Sequence, residues 1–157
     1  MSEYYNLNGK SIFSIVAVGE FPQREDELTS ATSDATLMRA ALRHLGMTEY
    51  GRVIGSMRSI TKTQVTGHMA RMSCSSELAQ CDMVVLVISS HGNFDNGQYV
   101  SFSDGSLILK ELIKPVKMKM NGKPLIVFVS ACRSTEHNLH TRIMRKSCIY
   151  TRVIIMF

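Results

Sequence analysis

Three stretches of the chain are apolar with little or no alternation: 11–18 (Ser-Ile-Phe-Ser-Ile-Val-Ala-Val), 83–90 (Met-Val-Val-Leu-Val-Ile-Ser-Ser) and 125–129 (Leu-Ile-Val-Phe-Val). Runs of this length and composition predict strands covered on both faces, as in a parallel sheet. A shorter strand is expected over 53–57. Between them the period changes. A helix is expected from a cap at Thr32 or Ser33 to about Leu45, with Leu37, Ala41, Leu42 and Leu45 on one face and Gly46 as the stop. A second helix is expected over 62–79, weakened by Gly67 and the serines near 73–76, and a short third over 107–113, stopped before Pro115. Asp95-Asn-Gly97 and Asp104-Gly105 carry turn chemistry, so 93–104 reads as a small excursion or hairpin, and Asn121-Gly122 as a turn.

Strands alternating with helices predict an α/β fold, a mostly parallel sheet with helices on both faces. Residues 1–10 read as a flexible lead-in and 11–134 as one domain. The tail, 135–157, is polar and basic first and strand-like over 148–157. No internal repeat appears.

Composition narrows the function classes. In 157 residues, 45% are hydrophobic and 20% charged, which suits a folded core. No run of about 18 apolar residues offers a membrane span, and the first ten residues lack the apolar stretch of a secretory signal. A cytoplasmic protein is the expectation, and with it free thiols at Cys74, Cys81, Cys132 and Cys148. The net charge of +5 is spread along the chain without interleaved aromatic residues, so no nucleic-acid partner is expected. No cofactor and no metal are expected either.

Two of the strand runs end in reactive residues. Cys132 follows the run at 125–129, and His91 with Gly92 follows the run at 83–90, 41 positions upstream of the cysteine (91 to 132). Ligands of open α/β sheets gather at the carboxyl ends of strands. A thiol attacks a carbonyl as thiolate, for which histidine is the natural base. A glycine beside the histidine lets a peptide N–H approach substrate, and with the N–H of Cys132 it forms a candidate oxyanion hole. The plainer alternative is a packed thiol and a solvated imidazole. Cys74 and Cys81 with His68 lack zinc spacing and read as structural thiols. The eleven methionines read as core filler and surface scatter, and His137 and His140 as solvated. Asp95 and Asp104 belong to turns, and Ser89, Ser90 and Ser130 lack the Gly-x-Ser-x-Gly setting of a nucleophilic serine.

Ser90-His91-Gly92 and Ser130-Ala131-Cys132-Arg133-Ser134 resemble the caspase family of cysteine proteases, whose signature is Gln-Ala-Cys-[Arg/Gln/Gly]-Gly with a histidine about 50 residues upstream. Asp34-Ala35 is similar to the family's Asp-x-Asp-Ala helix start, and Gly122-Lys123-Pro124 to its Gly-Lys-Pro lead into the cysteine strand. The resemblance spans about 8–134. It implies a caspase-like three-layer sandwich and a cysteine endopeptidase large subunit, with Cys132 as nucleophile, His91 as base and Gly92 as oxyanion donor. It also implies protein substrates and apoptosis-type signalling.

The resemblance is broken where the family grips aspartate. The large-subunit arginine position, six before Asp34, holds Leu28, with Arg24 four residues further upstream. The signature glutamine is Ser130, and the final glycine is Ser134. Weak or absent aspartate selectivity follows as an expectation. The chain ends 25 residues after Cys132, with no aspartate after Thr135, where caspases continue into a linker and small subunit. The small subunit or another caspase chain is therefore an expected partner, and 149–157 is a candidate cover for the exposed edge of the 125–129 strand, reached by a crossover. The alternative reading is a catalytically impaired pseudo-caspase that regulates an active caspase by pairing with it.

Overall fold

A computed structural model describes residues 9–19, 30–51, 53–55, 60–94, 98–132 and 150–156. Strands β1 (Ser11–Val18), β2 (Thr48–Glu49), β3 (Val53–Gly55), β4 (Met83–Ser89), β8 (Leu125–Cys132) and β9 (Tyr150–Met156) form one sheet in the order β2-β1-β4-β8-β9, with β3 also pairing β1. β1, β2, β3, β4 and β8 are parallel, and β9 is antiparallel to β8. Three short strands, β5 (Gly92–Phe94), β6 (Gln98–Phe102) and β7 (Gly105–Ile108), form a second, antiparallel sheet. The helices are α1 (Ser30–His44), α2 (Lys62–Ser73), α3 (Ser76–Gln80) and α4 (Leu109–Met120).

The unalternating runs are explained by coverage on both faces. Phe13, Ile15, Ala17, Val85 and Val87 pack under α1, with Met38, Ile126 and Phe128 at the margin. Ile12, Val16, Val18, Val84, Leu86, Ile88, Leu125, Val127, Val129 and Ala131 face the larger core beneath α2, α3 and α4. A three-layer α/β arrangement results, with the central strands β1 and β4 almost wholly buried.

Local sequence sets the helix ends. Thr61 caps α2 with a capping box, its hydroxyl accepting from the Gln64 N–H while the Gln64 side chain accepts from the Thr61 N–H. α1 ends in a Schellman turn: Gly46, at φ +79, donates to Arg43 O, and Met47 N–H donates to Leu42 O. Leu42 and Met47 are both buried in the same cluster, which is the apolar contact that accompanies this motif.

Several elements differ from the sequence expectation. The buried face of α1 is Ala31, Ala35, Met38 and Leu42, while Leu37 and Leu45 are 69% and 74% exposed. The helix already includes Ser30, so neither Thr32 nor Ser33 caps it. The helix expected over 62–79 is two, because Ser75 breaks it and caps α3 through the Leu78 N–H. Pro115 lies inside α4 rather than ending a shorter helix. The buried row Leu109, Leu112, Ile113, Val116 and Met120 continues past it and holds the segment against the core. β7 occupies 105–108, part of the span read as helix. β8 runs to Cys132, so the cysteine is the strand's last residue rather than just past it, because β9 extends the ladder from Ile126–Met156 to Cys132–Tyr150. That pairing is antiparallel.

Candidate active site

β4 and β8 are neighbours, and their parallel register ends with Ser89 beside Ser130. One residue further, the Ser90 N–H donates to Ser130 O at 3.0 Å. His91 and Cys132 each lie two residues beyond the last registered pair. Both therefore lie at the carboxyl rim of the sheet, just beyond the ends of two neighbouring strands' shared register. His91 is half-exposed.

The second sheet fixes the histidine segment. The Ser90 hydroxyl donates to Ser101 O, and the Ser101 N–H donates to His91 O at 2.9 Å. His91 and Ser101 thus occupy a hydrogen-bonded position. In an antiparallel ladder the next pair, Gly92 and Val100, must be a non-hydrogen-bonded one, and the Gly92 N–H points away from β6. A peptide donor left out of the ladder, on a residue without a side chain, is the arrangement an oxyanion site requires.

Beneath the rim on the α1 face lies a cavity of about 250 Å³, lined by Asp34, Leu37, Met38, Val87, Ser89, Phe128, Val129 and Ser130. Ser89 is 1% exposed, and its hydroxyl finds no partner among the described residues. Buried hydroxyls are rarely left so. Among the described residues Asp34 is the cavity's charged residue, and no Lys or Arg among them lines it.

The family model described as caspase domain matches residues 11–151. The chain belongs to the caspase family. Its structure is similar to that of the Drosophila initiator caspase Dronc, with 17% identity, 77% of this chain and 48% of that chain covered, and a TM-score of 0.65. It is also similar to pro-sf-caspase-1 (15% identity, 96% and 59% covered, TM-score 0.70) and to caspase-1 from Spodoptera frugiperda (16%, 92% and 57%, TM-score 0.66). The chain spans about half to three-fifths of the length of these solved caspases. No curated protein sequence matches it.

Of the residues singled out by sequence in this caspase domain, the fold brings His91, Gly92, Ser130 and Cys132 to one rim. Arg24 and Leu28 lie outside the described residues. Cys81 is buried, with its thiol pushed above the ordinary range first by desolvation, and Cys74 is exposed. Both are free, and no cluster able to hold a metal occurs among the described residues. Among the same residues no helix is long and apolar enough to cross a membrane.

Sequence reasoning weighed His68 only as a zinc ligand and missed its buried pairing; it is 4% exposed with Nε2 at 2.7 Å from the buried Ser14 hydroxyl. Burial, and then the Arg71 guanidinium, hold its pKa below the ordinary histidine value. Ser14 was the available signal: one hydroxyl in the middle of an apolar strand needs a partner.

Proposed function

We propose that this chain is the large subunit of a caspase-type cysteine endopeptidase. It acts on proteins in the cytoplasm, in apoptosis-type signalling, and reaches full activity only when a small subunit or another caspase chain completes it. The observation that supports this reading is the Ser89–Ser130 register, with His91 and Cys132 each two residues further along their chains. In the reaction the His91 imidazole takes the thiol proton, and the Cys132 sulfur adds to the scissile carbonyl carbon. The Gly92 and Cys132 N–H groups hold the resulting oxyanion, each such donor contributing about 10²–10³ in rate. The imidazolium then gives its proton to the departing amine. Water, deprotonated by His91, hydrolyses the thioester and frees the thiol.

The residue before the cut is proposed to be uncharged. An arginine or amide gripping a carboxylate contributes about 1.5–3 kcal/mol per charge-assisted bond. With Leu28 and Ser130 in two of those positions, selectivity for aspartate falls by about 10²–10⁴. The cavity beneath Ser130 has an apolar lining and the Asp34 carboxylate, which favours an aliphatic side chain over an acidic one.

The same features favour a second reading, a pseudo-caspase that regulates an active partner by pairing with it. Labelling by an irreversible cysteine electrophile separates the two. Labelling of Cys132 much faster than that of exposed Cys74, and slowed to the Cys74 rate by His91→Ala, supports the protease. Equal rates in the unaltered protein refute the activated thiol and leave the regulatory reading.

A further inference from the structure

At the amino-terminal ends of β1 and β4, the end of the sheet remote from His91 and Cys132, lies a cavity of about 450 Å³. It is lined by Lys10, Ile12, Thr48, Glu49, Tyr50, Gly51, His68, Arg71 and Glu77. That volume lies within the range of small-ligand sites. We propose that this cavity binds a small phosphate monoester, held by Lys10, Arg71 and the free edge of His68.

The imidazole is locked. Nε2 is engaged by Ser14 at 2.7 Å, and the Tyr50 ring tilts against the other side with centroids 5.7 Å apart. The remaining edge is left uncovered by a glycine. A β carbon on Gly51 would stand 3.3 Å from Cε1 and 3.8 Å from Nδ1, and Gly51 adopts φ +60, where other side chains are strained. Gly67 does the same for the cation. A β carbon there would lie 3.4 Å from Arg71 Nη1, so the guanidinium lies back along α2 over the bare backbone one residue from His68.

Charge decides the class of ligand. Glu49 is already answered from outside the cavity by Arg39 Nε at 2.8 Å and Arg43 Nη2 at 2.5 Å. Glu77 sits at the start of α3, its carboxylate held low by its own backbone N–H, then by the Ser76 hydroxyl, and more weakly by Lys10. Neither Lys10 nor Arg71 has a carboxylate within 4.0 Å among the described residues. Two cations without close counterions, beside a neutral imidazole buried at the base, form a concave site that lacks a dianion. Phosphate suits it better than a carboxylate because its several oxygens can accept from Arg71, Lys10 and an Nδ1–H together. Ser14 from β1 bonds the imidazole, Tyr50 tilts against it, Arg71 from α2 acts on it, and Glu49, Lys10 and Glu77 line the cavity around it. None of them is a fixed anion free to satisfy it.

The inference stands apart from the protease reading, since no residue is shared. The test is a titration of the full chain with inorganic phosphate and with phenyl phosphate, following the His68 ring nitrogens by NMR. A saturable shift is expected, with the His68 pKa raised by about one unit or more in the bound state, since a ligand that prefers the charged imidazole must stabilise it reciprocally. Arg71→Gln and Lys10→Gln should each weaken binding about tenfold while leaving the melting temperature within a degree or two. Phenyl phosphate binding more tightly than inorganic phosphate is the expected order for a site with room beyond the phosphate. Benzoate binding as tightly as phenyl phosphate overturns the choice of ligand class. No shift at about 10 mM ligand, where a Kd of 1 mM gives near-saturation, or a shift unchanged in the Lys10/Arg71 double variant, overturns the site.

Discussion

Replacing Ser14 by alanine tests the buried pair that joins β1 to α2. Ser14 is 1% exposed and His68 4%, and the bond between Ser14 Oγ and His68 Nε2 is buried, so neither atom of it meets water when the other is lost. Ser14→Ala strands Nε2 in the core, and a buried polar atom left without its partner costs about 1–3 kcal/mol. For a domain of this size each kcal/mol lowers the melting temperature by about 2–4 °C, which gives a fall of about 2–12 °C. His68→Leu strands the serine hydroxyl instead and should cost a similar amount. Each single change already breaks the bond, so the double variant should be destabilised by less than the two added together, by about 1 kcal/mol or more. The assay is urea unfolding at pH 8, where His68 is neutral in both states. A second arm at pH 5.5 uses the sign of the shift. Because the folded pKa lies below 6.5, the unfolded chain takes up the proton first as the pH falls. The stability tied to neutral His68 is complete above about pH 6.5 and is lost as the pH falls from there toward the folded pKa. His68→Leu should therefore lose less stability than the parent between pH 8 and 5.5. Strict additivity at pH 8, together with identical pH dependence in parent and variant, would refute the coupling.

Three further outcomes follow from other parts of the fold. Leu86→Ala, at a fully buried position in the central strand, should cost about 2–5 kcal/mol, read by thermal or urea unfolding. Thr61→Ala removes one half of the α2 capping box and should cost about 1 kcal/mol, while Thr61→Ser should restore most of it. Maleimide labelling of the native chain should reach Cys74 rapidly and Cys81 only on unfolding, since Cys81 is buried and its thiol is held protonated.

The strands covered on both faces were legible because burial on two sides removes alternation, a signal that survives without any knowledge of neighbours. The face of α1 was not. Leucine outranks alanine in any hydrophobic pattern, yet Ala31 and Ala35 are the buried positions while Leu37 and Leu45 are exposed, so ranking by hydrophobicity chose the wrong stripe. Pro115 misled in the same way, because a local rule about helix interiors was outweighed by five buried apolar residues, three before it and two after. At the rim, the shared end of β4 and β8 could be anticipated, since two adjacent parallel strands of similar grammar must end near each other. The pairing of Ser14 with His68, 54 positions apart, depends on how α2 lies across the sheet, which no local pattern carries.

The two sites occupy opposite ends of one sheet, and their separation limits how they can influence each other. β1 has eight residues at about 3.3 Å each, or about 26 Å from end to end. That is about three Debye lengths at physiological salt, so exposed charges at one end are screened from the other. An anion on Lys10 and Arg71 would therefore leave the field at His91 nearly unchanged. Any effect of phosphate on Cys132 reactivity would have to travel through β1 and β4 as a displacement, and both strands are buried on both faces and tightly packed. Phosphate binding without a change in the rate of thiol labelling is thus the outcome this architecture requires. A labelling rate that follows phosphate occupancy would mean that the central strands have a second packed arrangement.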